Sequence, residues 1–418
     1  MIPMKKKLFI TLILITTMTL FSCDQHSKPG PVHRPGGTFG FDRAFIFRHD
    51  AGAVELADGD ARLVISPKYQ GKVFTSTAGG DTGRSLGWIN YKAFDGPPGV
   101  HMNAYGGENR LWLGPEGGPM SLFFRKGAKQ VFENWHVPAA FDSEAWNLVG
   151  TRLAGTEATL SKDMELENYA GQRFKLKVTR TIRLLEKNEM ERLLHVQVTK
   201  SMKAVAYRTE NTITNTGAKA WNDKDGTFCT WMLDMFPPSP RTVIVVPFKP
   251  GPGNPATTDY FGEIPGDRLR ISGNVLYFKA DGKSRGKLGI HPVRARDIAG
   301  SYDAEHRVLT IIQFNVENNP VYLNQEWRLD KPLLSGDAVN AYNDGPLADG
   351  SQLGPFYELE SVSSAHYCAP DGSSTHWHTV YHFSGTEKEL DYLCRNLLGV
   401  SLAEINKAFS YDEETVLS

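Results

Sequence analysis

Cysteine is scarce in this chain: four residues in 418, at positions 23, 229, 368 and 394. Once Cys23 is given the role described below, at most one intramolecular disulfide can form. No C-x-x-C or zinc-type spacing occurs, so a disulfide scaffold and a structural zinc module are both excluded. Charge of one sign is also lacking. The chain has 46 Lys and Arg against 47 Asp and Glu, without long blocks of either, which removes nucleic acid as an expected partner. Long apolar runs are missing apart from Leu8–Phe21, which falls short of the about 20 residues a bilayer helix needs. No repeat of about 40 to 50 residues is present, which argues against a propeller. Aromatics are plentiful, with 22 Phe, 15 Tyr and 8 Trp, enough to build a large packed core and to exclude wholesale disorder.

The compartment is written at the start. Lys5, Lys6 and Lys7 precede the apolar run, which ends in Leu20-Phe21-Ser22-Cys23. A charged n-region followed by a short apolar h-region is a secretory signal, and the final four residues resemble a bacterial lipobox. The expectation is a signal peptide over 1–22, a diacylglycerol anchor on Cys23, and a cell-envelope protein of the periplasm or outer membrane, with a membrane as partner through that lipid. Residues 24–38 are polar and rich in Pro and Gly, so 23–40 is expected to be a flexible tether.

Residues 41–385 carry strand signals throughout. In Phe174-Lys175-Leu176-Lys177-Val178 the apolar side chains occupy every second position, one face of a strand. Val205, Tyr207, Thr209, Asn211 and Ile213 mark another. Further strands are expected at 63–66, 276–278, 308–314, 356–362 and 377–383, separated by turn dipeptides such as Asp58-Gly59, Asp281-Gly282 and Asp371-Gly372. Convincing helices are confined to 386–418. There Thr386-Glu387-Lys388-Glu389 and Ser401-Leu402-Ala403-Glu404 are two capping boxes, each followed by spaced apolar residues. Strand after strand without a crossover helix predicts an all-β, antiparallel sandwich with a short helical extension.

Several segments, in this order, resemble galactose mutarotase-like (aldose 1-epimerase-like) proteins. They are Val54-Glu55-Leu56-Ala57-Asp58-Gly59 with Arg62–Pro67, Tyr105-Gly106-Gly107-Glu108-Asn109-Arg110-Leu111-Trp112, Glu210–Gly217, and Phe356–Ser363 followed by His376–Phe383. The resemblance spans roughly residues 50 to 385 and points to an uncharacterised lipoprotein branch. It implies a β-supersandwich with a sugar-sized cleft on a concave face and a carbohydrate ligand. Fold alone does not fix the reaction.

Mutarotation needs a base for the anomeric proton and an acid for the ring oxygen. The resemblance places the base at Glu358 or Glu360, which share one strand face, where mutual repulsion raises one pKa; the plainer alternative is that they face solvent. The matching region for the family's acid, Phe228–Met232, has no histidine, so His291, or His101, is the candidate substitute. Asn109 and Arg110 are the expected anchors for ligand hydroxyls or a carboxylate, the alternative being a buried ion pair of Arg110 with Glu108 or Glu116. Trp112, Trp231 and Trp327 can offer apolar faces to a sugar ring or belong to the core. Glu326, Asn343 and Asp344 sit in polar clusters that end strands, as cleft loops or as turn formers. His376 and His378 can share a metal in principle, but His382 lies roughly 13 Å from His378 on an extended strand. No metal site is assigned and no cofactor is expected. Three activities fit: epimerisation, non-catalytic glycan binding, or, with Glu116 or Glu326 as second carboxylate, glycoside hydrolysis or elimination. Oligomeric state is not legible.

Overall fold

The computed structural model describes residues 37–317, 321–347 and 349–409. The signal segment, Cys23 and most of the expected tether lie outside the described residues.

Alternation of apolar and polar side chains builds the larger layer, a ten-stranded antiparallel sheet running from the Leu269–Ser272 edge to the Asn147–Arg152 edge. In Arg173–Leu184 every second residue is buried, with Phe174, Leu176 and Val178 inward and Lys175 and Lys177 in solvent. Near the middle, Ser373–Ser384 pairs with Lys203–Asn215 on one side and Val308–Phe314 on the other. The second layer has six antiparallel strands in the order Ala256–Thr257, Gly286–Ile290, Val339–Asn343, Tyr357–Val362, Cys229–Phe236, Arg110–Gly114. Here alternation is hidden: all positions of Cys229–Phe236, Val339–Asn343 and Tyr357–Val362 are buried. One face packs on the ten-stranded sheet and the other floors a walled cleft. A small three-stranded sheet, Val54–Asp58, Ala61–Ser66 and Lys72–Thr77, completes the expected antiparallel β-sandwich.

Both expected capping boxes form. Thr386 and Ser401 accept from the backbone N–H of Glu389 and Glu404, and those carboxylates return the bond to the cap residues. The helices Glu387–Leu397 and Leu402–Lys407 lay Leu390, Leu393, Leu402 and Ile405 over Val245, Leu309, Tyr381 and Phe383, on the outer face of the ten-stranded sheet. Two further helices, Phe39–His49 and Lys187–Leu194, carry no such sequence signal, because neither N-cap residue makes a side-chain capping bond. Tertiary burial forms them instead. Phe39, Phe45 and Ile46 pack on Val64 and Phe74, while Met190 and Leu194 join the C-terminal helices.

Polar groups cross the interior between the layers. Asp234, fully buried, accepts hydrogen bonds from Asn109 Nδ2 and, at 2.6 Å, from His378 Nε2. Arg180 donates to the side-chain oxygens of Asn109 and Asn211. Ser361 Oγ joins His378 Nδ1 at 2.8 Å to His376 Nε2 at 2.9 Å. His382 is bound elsewhere, to Glu108 at 3.0 Å and Thr310 at 2.9 Å. Removing the hub should therefore cost far more than removing a cap. Asp234→Ala, which leaves Asn109 and His378 without their acceptor and the buried Arg180 without the nearby negative charge, is expected to lower stability in urea denaturation by about 3–5 kcal/mol. Thr386→Ala should cost about 1 kcal/mol in the same measurement.

Candidate functional site

Strand alternation sends one set of side chains away from the interlayer seam. Arg110 and Trp112, Trp231 and Leu233, Glu358 and Glu360, Tyr342, and Lys287 lie on the outer face of the six-stranded sheet in neighbouring register. Loops stand around this floor and close a cleft of about 260 Å³, at the small end of ligand-pocket sizes. Its apolar walls are Trp112, Trp135, Trp231, Trp327, Phe261 and Phe356, and its titratable lining is Arg110, Lys287, Arg285, Glu358, Glu116 and His101. Two grooves of about 550 and 540 Å³ elsewhere on the surface gather no buried Asp, Glu, His, Lys or Arg.

The floor is a chain of charged pairs. Arg110 Nη2 donates to Glu358 Oε1 at 2.7 Å, with both side chains almost wholly buried. Glu360 Oε2 accepts from Trp231 Nε1 at 2.7 Å and from Lys287 Nζ at 2.9 Å, while its Oε1 has no donor. Lys287 also lies over the Trp231 ring, 4.5 Å from the centroid, and the Arg110 guanidinium is 4.9 Å from the centre of Trp112. Burial pushes the Glu358 carboxyl well above the ordinary carboxylate range. Arg110 and Lys287 oppose that shift, and Glu360, within hydrogen-bonding reach, reinforces it. Protonated, Glu358 is a hydrogen-bond donor on the cleft floor, and the neighbouring Glu360 Oε1 is an acceptor without a partner.

Glu116 gives the cleft a second carboxyl. Burial raises it to about 7 against the pull of Lys287 and Arg285, with Glu360 adding to the rise. His101 Nδ1 lies 2.7 Å from the Trp135 carbonyl oxygen, which can only accept. Nδ1 therefore donates to that oxygen, and the ring stands in the cleft wall.

The expected residues divide between the two faces. Glu358, Arg110, Trp112, Trp231 and Trp327 line the cleft, and Glu360 sits directly beneath it. Asn109 points the other way, into the interlayer seam with Asp234 and Arg180. His291 is exposed in the turn after Gly286–Ile290, its carbonyl accepting from Arg294 and Ala295, and it is not part of the cleft lining. Glu326 is buried beside Lys331 and Asn324, behind the Trp327 wall. Asn343 and Asp344 support the rim: Asn343 Oδ1 accepts from Gly282 N–H at 2.9 Å, and Asp344 Oδ1 accepts from Tyr342 OH at 2.8 Å. Arg110 pairs with Glu358 and not with Glu108, which is held by Ser76 and His382. Among the described residues no group of three His, Cys, Asp or Glu side chains is arranged to hold a metal ion. Sequence reasoning passed over Lys287, Arg285, Tyr342 and Trp135. A lysine centred in the otherwise apolar Gly286-Lys287-Leu288-Gly289-Ile290 was the available signal, since a buried strand lysine demands a partner.

Glu116 makes a pH-dependent contribution whose sign is fixed. Its folded value of about 7 stands above the ordinary 4.5, so its favourable share of stability is complete below 4.5 and lost as pH rises through 7. Glu116→Gln should match the native chain in urea denaturation at pH 4 and exceed it at pH 8.5 by up to about 3 kcal/mol.

Among solved structures, the chain is similar to the Slr1438 protein of Synechocystis sp. PCC 6803 (13% identity, TM-score 0.48, covering 79% of this chain and 95% of that one). It is also similar to a galactose mutarotase-like protein from Lactobacillus casei ATCC 334 (12%, 0.46, 79% and 100%). A galactose mutarotase related enzyme from Lactobacillus acidophilus is a third (8%, 0.44, 80% and 98%). No curated protein matches the chain. A family model covers residues 37–409, almost the whole of the described body, and the chain belongs to that family, DUF6786, a family of unknown function.

Proposed function

We propose that the chain binds a sugar or oligosaccharide in this cleft and interconverts its anomers by acid/base chemistry. The observation that carries the reading is the buried Glu358 carboxyl, held by Arg110 and raised by burial, on the floor of an aromatic-walled pocket. Aromatic faces bind the apolar side of a pyranose, and the charged floor offers donors and acceptors to its hydroxyls. Glu358 delivers its proton to the ring oxygen while His101 Nε2 accepts the proton of the anomeric hydroxyl. The bond from C1 to the ring oxygen breaks, the free carbonyl turns, and reclosure with the transfers reversed gives the other anomer. No proton is gained or lost over the cycle.

A second reading, glycan binding without turnover, is favoured by one feature: every charged group on the floor already has an internal partner. Hydrolysis is less well supported, because it needs an ionised carboxylate facing a protonated one, and burial raises both Glu116 and Glu358. The lipobox-like Leu20-Phe21-Ser22-Cys23 supports the further proposal that this chemistry is held at the cell envelope by a lipid on Cys23.

Anomer exchange followed by NMR on reducing sugars separates these readings. Glu358→Gln should slow enzyme-dependent exchange by roughly 100-fold or more and leave the sugar bound, as read by saturation transfer. Binding with no exchange in the native chain would establish the second reading.

A further inference from the structure

We infer that the saccharide recognised by this cleft carries an oxyanion, a carboxylate, phosphate or sulfate, and that the guanidinium of Arg285 binds it; the inference rests on the sugar-binding reading above. Three basic side chains line the cleft, and two are claimed. Arg110 holds Glu358 and Lys287 holds Glu360. Arg285 holds no carboxylate. Its one hydrogen bond among the described residues runs from Nε to Tyr342 OH at 3.2 Å, so both Nη groups are unclaimed by protein.

This free fork is nonetheless held in place. The guanidinium carbon stacks 3.9 Å from the centre of the Phe261 ring. Tyr342 OH, which accepts from Arg285, donates to Asp344 at 2.8 Å, and Asp344 Oδ2 accepts from Gly354 N–H at 3.1 Å. Asn343 pins the turn that delivers Arg285, accepting from Gly282 N–H at 2.9 Å and donating to the Ser284 carbonyl at 2.8 Å. Fixing an arginine costs side-chain entropy, and a solvated surface arginine gains nothing from such bracing. A planar fork of N–H donors held ready beside a pocket matches the bidentate geometry of an oxyanion. Glu116, a cleft carboxyl near enough for Arg285 to act on, is raised by burial to about 7, and the Asp344 carboxyl is met by Tyr342 OH and not by Arg285. The local field therefore favours an incoming negative charge.

Calorimetric titration of the full chain with matched hexoses, hexuronates and hexose 6-phosphates of the gluco, galacto and manno series tests this. An anionic sugar should bind roughly ten- to hundredfold more tightly than its neutral counterpart at low salt. That preference should shrink as salt is raised, and it should vanish in Arg285→Gln. Arg285→Lys, which keeps the charge and loses the fork, should retain part of it. The uronate and phosphate arms distinguish a planar from a tetrahedral anion. Equal affinity for neutral and anionic sugars, or a preference that survives Arg285→Gln, overturns the inference and leaves the sugar-binding reading standing. Binding of none of the sugars by the natively folded chain overturns both. The comparison of neutral and anionic sugars and the salt series need only the native chain, so equal affinity overturns the inference even if the variants fail to fold.

Discussion

Everything in the cleft depends on how the Asp234 carboxylate is neutralised between the sheets. A buried charge must be paired or hydrogen-bonded, and here Asn109 and His378 supply the donors, with Arg180 linked through Asn109. Because side chains alternate along a strand, each inward hydrogen bond fixes an outward neighbour. Asn109 drawn in sets Arg110 on the cleft floor. Asp234 drawn in sets Leu233 and Met235 outward, and Ser361 bonded to His376 and His378 sets Glu360 beneath the ligand space. A slip of one residue would exchange the two faces, so the interlayer polar seam locks the register that the cleft requires.

The cleft floor shows how several charges tolerate burial together. Arg110 with Glu358, and Lys287 with Glu360, form two hydrogen-bonded pairs shielded from water, and desolvation opposes the charged form of each carboxyl. Stacking of both cations on indole rings adds to their stabilisation. The asymmetry lies in the carboxyls. Glu360 Oε2 receives two donors, whereas Glu358 receives one from Arg110, and Glu360 Oε1 is left open toward its neighbour. Burial raises the Glu358 carboxyl, which lines the pocket, so that it can carry a proton there.

How much of this was legible in the sequence varied with the physics. The strands of the ten-stranded sheet were plain, because one face meets solvent and the alternation in 174–178 or 205–213 is printed in residue types. The C-terminal helices were equally plain, since Thr386 and Ser401 announce their own caps. Strands of the smaller sheet are buried on both faces, so alternation could not tell which of Asn109 and Arg110 faces the cleft; resemblance named both and the register separated them. His291 was named as a substitute for the missing acid, but the strand stops at Ile290 and His291 lies exposed in the turn that follows. Lys287 and Arg285 were missed because their partners, Glu360 and Tyr342, lie more than fifty residues away in sequence and no local pattern encodes such a contact.

Asn343 and Asp344 illustrate the remaining gap between a correct location and a correct role. Polar residues ending a strand were marked as possible ligand contacts, yet both are buried and satisfied by protein. Their hydrogen bonds run instead to the Gly282–Ser284 turn and to Tyr342, the elements that hold Arg285 against Phe261. Charge presented to a ligand on a loop needs such bracing, because an unsupported arginine would spread over many rotamers and lose on ordering much of what it gained on contact. The polar cluster at the end of Val339–Asn343 therefore acts one step behind the pocket surface, and the rim can be both built from a turn and geometrically fixed.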